Sequence, residues 1–177
     1  MASTSVPAAA TSRRRWRQGV DRASAVIIPL SLVIFGAIAG AATGDASMDW
    51  YRQLNRPWFT PPGAAFGIAW TILYLLMGIA FWRIVRIAPD STRNRWRRPA
   101  IGLFCVQLAL NLAWNPAFFG LQSPLIGVVL ILPLLGLIAV TLAAFWAVDR
   151  PAALLLVPYL IWVIYATVLA ITILILN

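Results

Sequence analysis

Four stretches of this chain carry no charged side chain, and all four are long. Between Arg22 and Asp45 lie 22 such residues, and between Arg56 and Arg83 lie 26. From Pro99 to Val148 there are 50, and the 27 residues after Arg150 carry none. A helix rises about 1.5 Å per residue, so about 20 apolar residues cross the hydrocarbon of a bilayer. The 50-residue run must therefore hold two spans. Gly120-Leu-Gln-Ser-Pro124 is the natural break between them, because it brings a glycine and a proline together. The sequence predicts an all-α integral membrane protein, a bundle of five transmembrane helices at about 23–43, 64–86, 99–119, 124–147 and 151–175. The 62% hydrophobic content fits this, since soluble domains hold about 45–50%.

The charges that remain set an orientation. All 14 basic residues are arginine. Arg13, Arg14, Arg15, Arg17 and Arg22 precede helix 1, and Arg83, Arg86, Arg93, Arg95, Arg97 and Arg98 follow helix 2. A five-helix path puts both clusters and Arg150 on one side, leaving only Arg52 and Arg56 on the other. The positive-inside rule places the N-terminus in the cytoplasm and the C-terminus outside, in a bacterial cell (inner) membrane. Clusters of this kind meet anionic headgroups rather than nucleic acid. The apolar run after Arg22 is too long for a signal-peptide core, so residues 1–22 are expected to be a disordered basic tail before a retained anchor helix. Residues 23–177 form the membrane domain.

The chain has no histidine, lysine or glutamate. Its acids, Asp21, Asp45, Asp49, Asp90 and Asp149, all fall near span ends or in loops. Metal ligation and general acid–base catalysis have few candidates, and no ionisable group is placed for proton-coupled transport. The single thiol, Cys105, is expected to be an inert packing residue inside helix 3.

The segment after helix 1, Trp50-Tyr-Arg-Gln-Leu-Asn-Arg-Pro-Trp-Phe-Thr-Pro-Pro62, holds four aromatic residues and three prolines. It predicts a stiff Trp/Pro-rich lid loop over one end of the bundle. Inside the spans, Gln107, Asn111 and Trp114 share one face of helix 3, Phe66, Trp70, Tyr74 and Met77 form a stripe on helix 2, and Tyr159, Trp162 and Ala166 lie on one side of helix 5. The amides either fasten neighbouring helices or meet a ligand. Gly36, Gly40 and Gly44 form a ridge on helix 1 that suits close approach of another helix, within the chain or in a dimer. Trp16, Trp50, Trp58 and Trp96 read as interfacial anchors, with Trp82 and Trp146 near helix ends in the same role. Trp70, Trp114 and Trp162 are the pocket candidates.

In order along the chain, Trp50-Tyr51, Arg56-Pro57-Trp58, Pro61-Pro62, Phe66, Trp70, Leu73-Tyr74, Gln107-Leu-Ala-Leu-Asn111, Ala113-Trp114, Pro116, Phe118-Phe119-Gly120, Pro158-Tyr159, Trp162 and Ala166-Thr-Val-Leu169 resemble the tryptophan-rich sensory protein/translocator protein (TspO/MBR, peripheral-type benzodiazepine receptor) family. The resemblance implies a homodimeric five-helix protein with a pocket under the loop after helix 1. It implies ligands such as porphyrins, and in animals cholesterol and synthetic drugs. Carried over by position, the pocket includes Trp50, Phe66, Trp70, Tyr74, Asn111, Trp114, Trp162 and Ala166. Gln107 and Tyr159 join it from the face analysis, with Arg52 and Arg56 as partners for propionates. Three departures stand out. Ala64 replaces a family tryptophan implicated in photochemical breakdown of porphyrin, which disfavours an enzyme. Leu169-Ala170 replaces Leu-Asn, and the end of helix 5 lacks the aromatic and base of the animal sterol motif. The expected function is a receptor or sensor that binds protoporphyrin or haem, with no obligatory cofactor, and regulates tetrapyrrole or stress responses. A porphyrin transporter and a light-dependent porphyrin-degrading enzyme are the alternatives.

Overall fold

The computed structural model describes residues 8–41, 44–87 and 94–177, with side chains at 8–22, 45 and 94 left aside. The helices are α1 (Ala8–Ala41), α2 (Gly44–Gln53), α3 (Gly63–Val85), α4 (Asn94–Asn115), α5 (Pro124–Val148) and α6 (Arg150–Leu176). A π-helical turn, Pro116–Gly120, follows α4 directly. Five of these elements are long and apolar enough to cross a membrane, and the chain is an all-helical membrane protein. Exposed Ile27, Phe35, Ile68, Val129 and Ile161 cover the outside, where the solvent is hydrocarbon and apolar exposure carries no penalty.

Two boundaries differ from expectation. The membrane-spanning part of α1 is Ala23–Ala41, as expected, but the helix itself reaches back to Ala8. Nothing in residues 8–18 breaks a helix, and alanine and arginine favour one. Residues 1–7, the side chains of Arg13 to Arg22, and Arg93 lie outside the described residues. The segment expected to be all loop from Trp50 opens inside α2, which ends at Gln53. Within this segment no proline precedes Pro57, so only the stretch 54–62 is irregular. At Asn115-Pro116 the helix does not stop but widens into the π turn, which accommodates a residue without an N–H.

The bundle has a solid half and a hollow half. Towards the arginine-rich end, Met77, Ala80, Ile84, Ala152 and Ala153 are fully buried, and Phe81, Phe104 and Phe145 stack with centroids 4.5 and 5.8 Å apart. Asp149 alone separates α5 from α6. Its N–H donates to the Phe145 carbonyl at 2.7 Å, and its carboxylate takes two hydrogen bonds from Arg83 at 2.7 and 3.3 Å. Arg97 donates to the Ile84 and Val85 carbonyls, closing the end of α3. Three arginines lie over tryptophans here: Arg86 on Trp82, Arg95 on Trp96 and Arg150 on Trp146. Cys105 faces outward from α4 and is exposed, not a packing residue.

Candidate functional site

Where the other half of the bundle would have its core, there is a cavity of about 690 Å³. This lies within the range of about 300–1,000 Å³ usual for small-molecule sites. Helix α3 turns Phe66, Trp70 and Tyr74 into it, as the four-residue spacing requires. Asn111 and Trp114 enter from α4, and Trp162 and Ala166 from α6. Arg52 and Arg56 stand at the rim.

Eight aromatic residues stand in the walls, several of them held edge to face. Phe66 meets Trp162 at 5.7 Å and 79°, and Trp70 meets Tyr159 at 6.2 Å and 62°. Trp114 is fixed twice: it stacks on Phe118 at 4.9 Å and donates from Nε1 to the Gly127 carbonyl at 2.9 Å. Gly127 lets Phe118 sit there, since a methyl at that position would overlap the ring.

Polar groups close the floor. The Tyr74 hydroxyl donates to Asn111 Oδ1 at 2.7 Å, and the Tyr159 hydroxyl to Gln107 Oε1 at 3.0 Å. Both bonds are buried and join α3 or α6 to α4, as satisfied amides at membrane depth must. Gln107 and Tyr159 thus lie beneath the floor rather than in the cavity lining. Trp50 is also behind the wall, 5.6 Å from Phe118 at an edge-to-face angle. Among the described residues two buried donors remain without an acceptor, Gln107 Nε2 and Trp162 Nε1. An unsatisfied buried donor costs about 1–3 kcal/mol, and the second belongs to a residue of the cavity wall.

The rim is electropositive. Arg52 is paired with Asp49 at 2.9 Å on the exposed surface, a contact of small energy. Arg56 has no carboxylate partner among the described residues and lies over the Tyr51 ring at 5.3 Å. Burial raises the Tyr51 hydroxyl above its ordinary range, and Arg56 pulls it back. The tyrosine therefore stays neutral at ordinary pH, and the guanidinium charge remains available.

The lid is tied down along its length. Asn55 and Asn177 clasp each other: Asn55 N–H donates to Asn177 Oδ1 at 3.0 Å, and Asn177 Nδ2 donates to the Asn55 carbonyl at 3.1 Å. Asn55 Nδ2 also donates to the Leu176 carbonyl at 3.2 Å, and the Tyr165 hydroxyl to the Phe59 carbonyl at 2.9 Å. Trp58 stands out at 95% exposure, as an anchor in the headgroup region would.

A family model described as the TspO/MBR family matches residues 25–176. The chain belongs to the TspO/MBR family. Among its TspO/MBR relatives is the tryptophan-rich protein TspO of Chlorobaculum tepidum, 40% identical over 86% of this chain and 94% of the relative. The tryptophan-rich sensory protein of Cereibacter sphaeroides is 35% identical over 78% and 85%. The human translocator protein is 36% identical over 68% and 70%.

Several TspO/MBR cavity residues escaped the sequence analysis. Tyr51, Phe118 and Phe119 line the wall. All three were noticed only as motif letters, because an aromatic at a span end reads equally as an anchor. Val33, Gly36, Ala37 and Gly40 bring α1 into the lining. The glycines had been read as a helix contact, and only a cavity elsewhere in the fold shows the difference.

Proposed function

We propose that this membrane receptor-like protein binds a flat hydrophobic molecule carrying carboxylates at one edge, protoporphyrin or haem foremost. The observation that carries this is the asymmetry of the cavity: aromatic residues in the walls, an apolar interior with the unpartnered Trp162 Nε1–H, and at the rim an Arg56 that has no carboxylate partner among the described residues. Rings stack on Phe66, Trp70, Trp114 and Trp162, while propionates reach the guanidinium of Arg56, and of Arg52 where it leaves Asp49. Among the described residues there is no cluster of three His, Cys or acidic groups. The proposed recognition is therefore of the macrocycle and its acids, not of a metal. The Cereibacter sphaeroides relative, named a sensory protein, supports a sensing role. The arginine asymmetry supports a cytoplasmic N-terminus in a bacterial inner membrane, and the family resemblance a homodimer. The closed, tightly packed floor favours a binding site over a channel through the bundle.

The test is quenching of tryptophan fluorescence by protoporphyrin in detergent. Trp162→Phe removes the indole N–H and contact area and should weaken binding about tenfold, or 1.4 kcal/mol. Trp114→Phe should weaken it less, because its N–H is already satisfied by Gly127. Arg56→Gln should weaken protoporphyrin but leave its dimethyl ester unaffected. Unchanged titrations for all three would sink the proposal.

A further inference from the structure

Helices α1 and α3 pack closely at one level and part at another. At the lower level, Gly78 of α3 sits against Pro29 of α1: an added Cβ would stand 2.9 Å from Pro29 Cβ and overlap its Cα. One step outward, Gly36 is pressed by the Tyr74 ring, with no room for a methyl. In an antiparallel pair, positions whose numbers share a sum face each other. Pro29 and Gly78 sum to 107, and so do Gly40 and Gly67. Gly40 continues the α1 face of Pro29 and Gly36, and Gly67 the α3 face of Gly78 and Tyr74. Yet a Cβ at Gly40 or at Gly67 meets no atom within 4 Å. The seam is thus shut at Pro29–Gly78 and open eleven residues farther along each helix, about 16 Å away.

The opening leads into the cavity. Ala37, Gly40, Gly67 and Thr71 line the cavity and are also exposed. The other flank of α1 is fastened at the same height, where Asn115 Nδ2 donates to the Ala39 carbonyl. Above, the lid is held to α6 by the Asn55–Asn177 clasp and the Tyr165 hydroxyl. Below, the floor is closed by the buried Tyr74–Asn111 and Tyr159–Gln107 pairs.

We propose that the cavity exchanges its ligand sideways with the bilayer, through the gap between Gly40 and Gly67, while the lid stays latched. The ligand class follows: molecules already dissolved in the membrane, thin enough to pass edge-on between two helices. Such a molecule stays in apolar surroundings throughout, while its acidic edge remains near the headgroups and Arg56. This rests on reading the cavity as a ligand chamber, but not on the identity of that ligand.

The test needs no porphyrin. In full-length protein in liposomes, with Cys105→Ser removing the native thiol, Ala166→Cys places a thiol in the cavity wall. A bilayer-soluble pyrene maleimide and a sulfonated, water-confined maleimide are compared. The expected result is modification by the first and little by the second. Gly40→Leu and Gly67→Leu, each filling open space, should slow the first about tenfold, equivalent to 1.36 kcal/mol on the barrier. Asn177→Ala, which removes both clasp bonds to the Asn55 backbone and so loosens the lid, should change neither rate. In a parallel set that keeps Cys105 and leaves Ala166 unchanged, the thiol exposed on α4 serves as the control: its labelling by pyrene maleimide should be unaffected by either leucine, which also reports correct folding. Rapid labelling by the sulfonated reagent, accelerated by Asn177→Ala, overturns the proposal in favour of passage under the lid. Unchanged pyrene labelling in both leucine variants overturns it too. Should the labelling pattern hold while protoporphyrin fails to quench, the lateral route stands and the porphyrin assignment falls.

Discussion

The bond between Tyr74 and Asn111 makes the sharpest demand on the architecture. It is 2.7 Å long, buried, and joins α3 to α4 across the floor of the cavity. Tyr74 is 7% exposed and Asn111 5%, so water does not readily replace either partner. Tyr74→Phe keeps the ring against Gly36 and Trp70 but leaves Asn111 Oδ1 without that donor. An orphaned buried acceptor costs about 1–3 kcal/mol in soluble proteins. Between membrane helices, measured couplings average about 0.6 kcal/mol with a maximum near 1.7, because the unfolded helices find other partners in the membrane. The cavity above offers partial relief as well, so a loss of about 1 kcal/mol is expected for Tyr74→Phe. Asn111→Leu should cost a similar amount. The double variant should cost less than the sum, with a coupling of about 0.6–1.7 kcal/mol. Reversible unfolding by SDS in mixed micelles, followed by circular dichroism, measures all four corners of the cycle. Additive losses, with a coupling near zero, would refute the claim that this bond holds the floor.

The two ends of the α1–α3 seam should respond oppositely to bulk: Gly78→Leu must displace Pro29 and should cost about 1–3 kcal/mol by overpacking, whereas Gly40→Leu should leave the unfolding midpoint unchanged or raise it, since glycine is a poor helix former. At the other end of the bundle, Asp149→Asn weakens the two-point grip of Arg83 on a carboxylate whose side chain is only 14% exposed. It should lower stability by about 1 kcal/mol in the same SDS titration, and Arg83→Gln in combination should add little more, as the two groups act as one unit.

Much of this was legible beforehand, for a simple reason. A bilayer forbids charge within a span, so the gaps between charges alone gave five spans and their ends to within a few residues, although α1 runs on past its span to Ala8. The inward stripe Phe66–Trp70–Tyr74 was readable because helical spacing fixes which side chains share a face. What sequence could not give was which side of a helix meets protein, lipid or void. Gly36 and Gly40 look alike on paper, yet one is pressed by a ring and the other borders open space. Trp50 and Tyr51 are neighbours on α2, and a 100° step decides that Tyr51 lines the cavity while Trp50 supports Phe118 from behind. Gln107 and Asn111 share a face, but only Asn111 lies high enough to reach the lining. Helix α2 was missed because its sequence is polar and aromatic by turns, and it needs the rest of the bundle to give it a side to lie on.

The single residue between α5 and α6 sets a rotational phase for everything beyond it. With Asp149 as the whole connection, there is no slack to absorb a change in length. One residue inserted at that point would turn α6 by about 100° and raise it by about 1.5 Å. Trp162 and Ala166 would then point away from the chamber, although every one of their neighbours in sequence was intact. Tyr165 would lose the Phe59 carbonyl in the same turn. The composition of the pocket is therefore written partly at the opposite end of the membrane, in the length of a one-residue corner that touches no ligand.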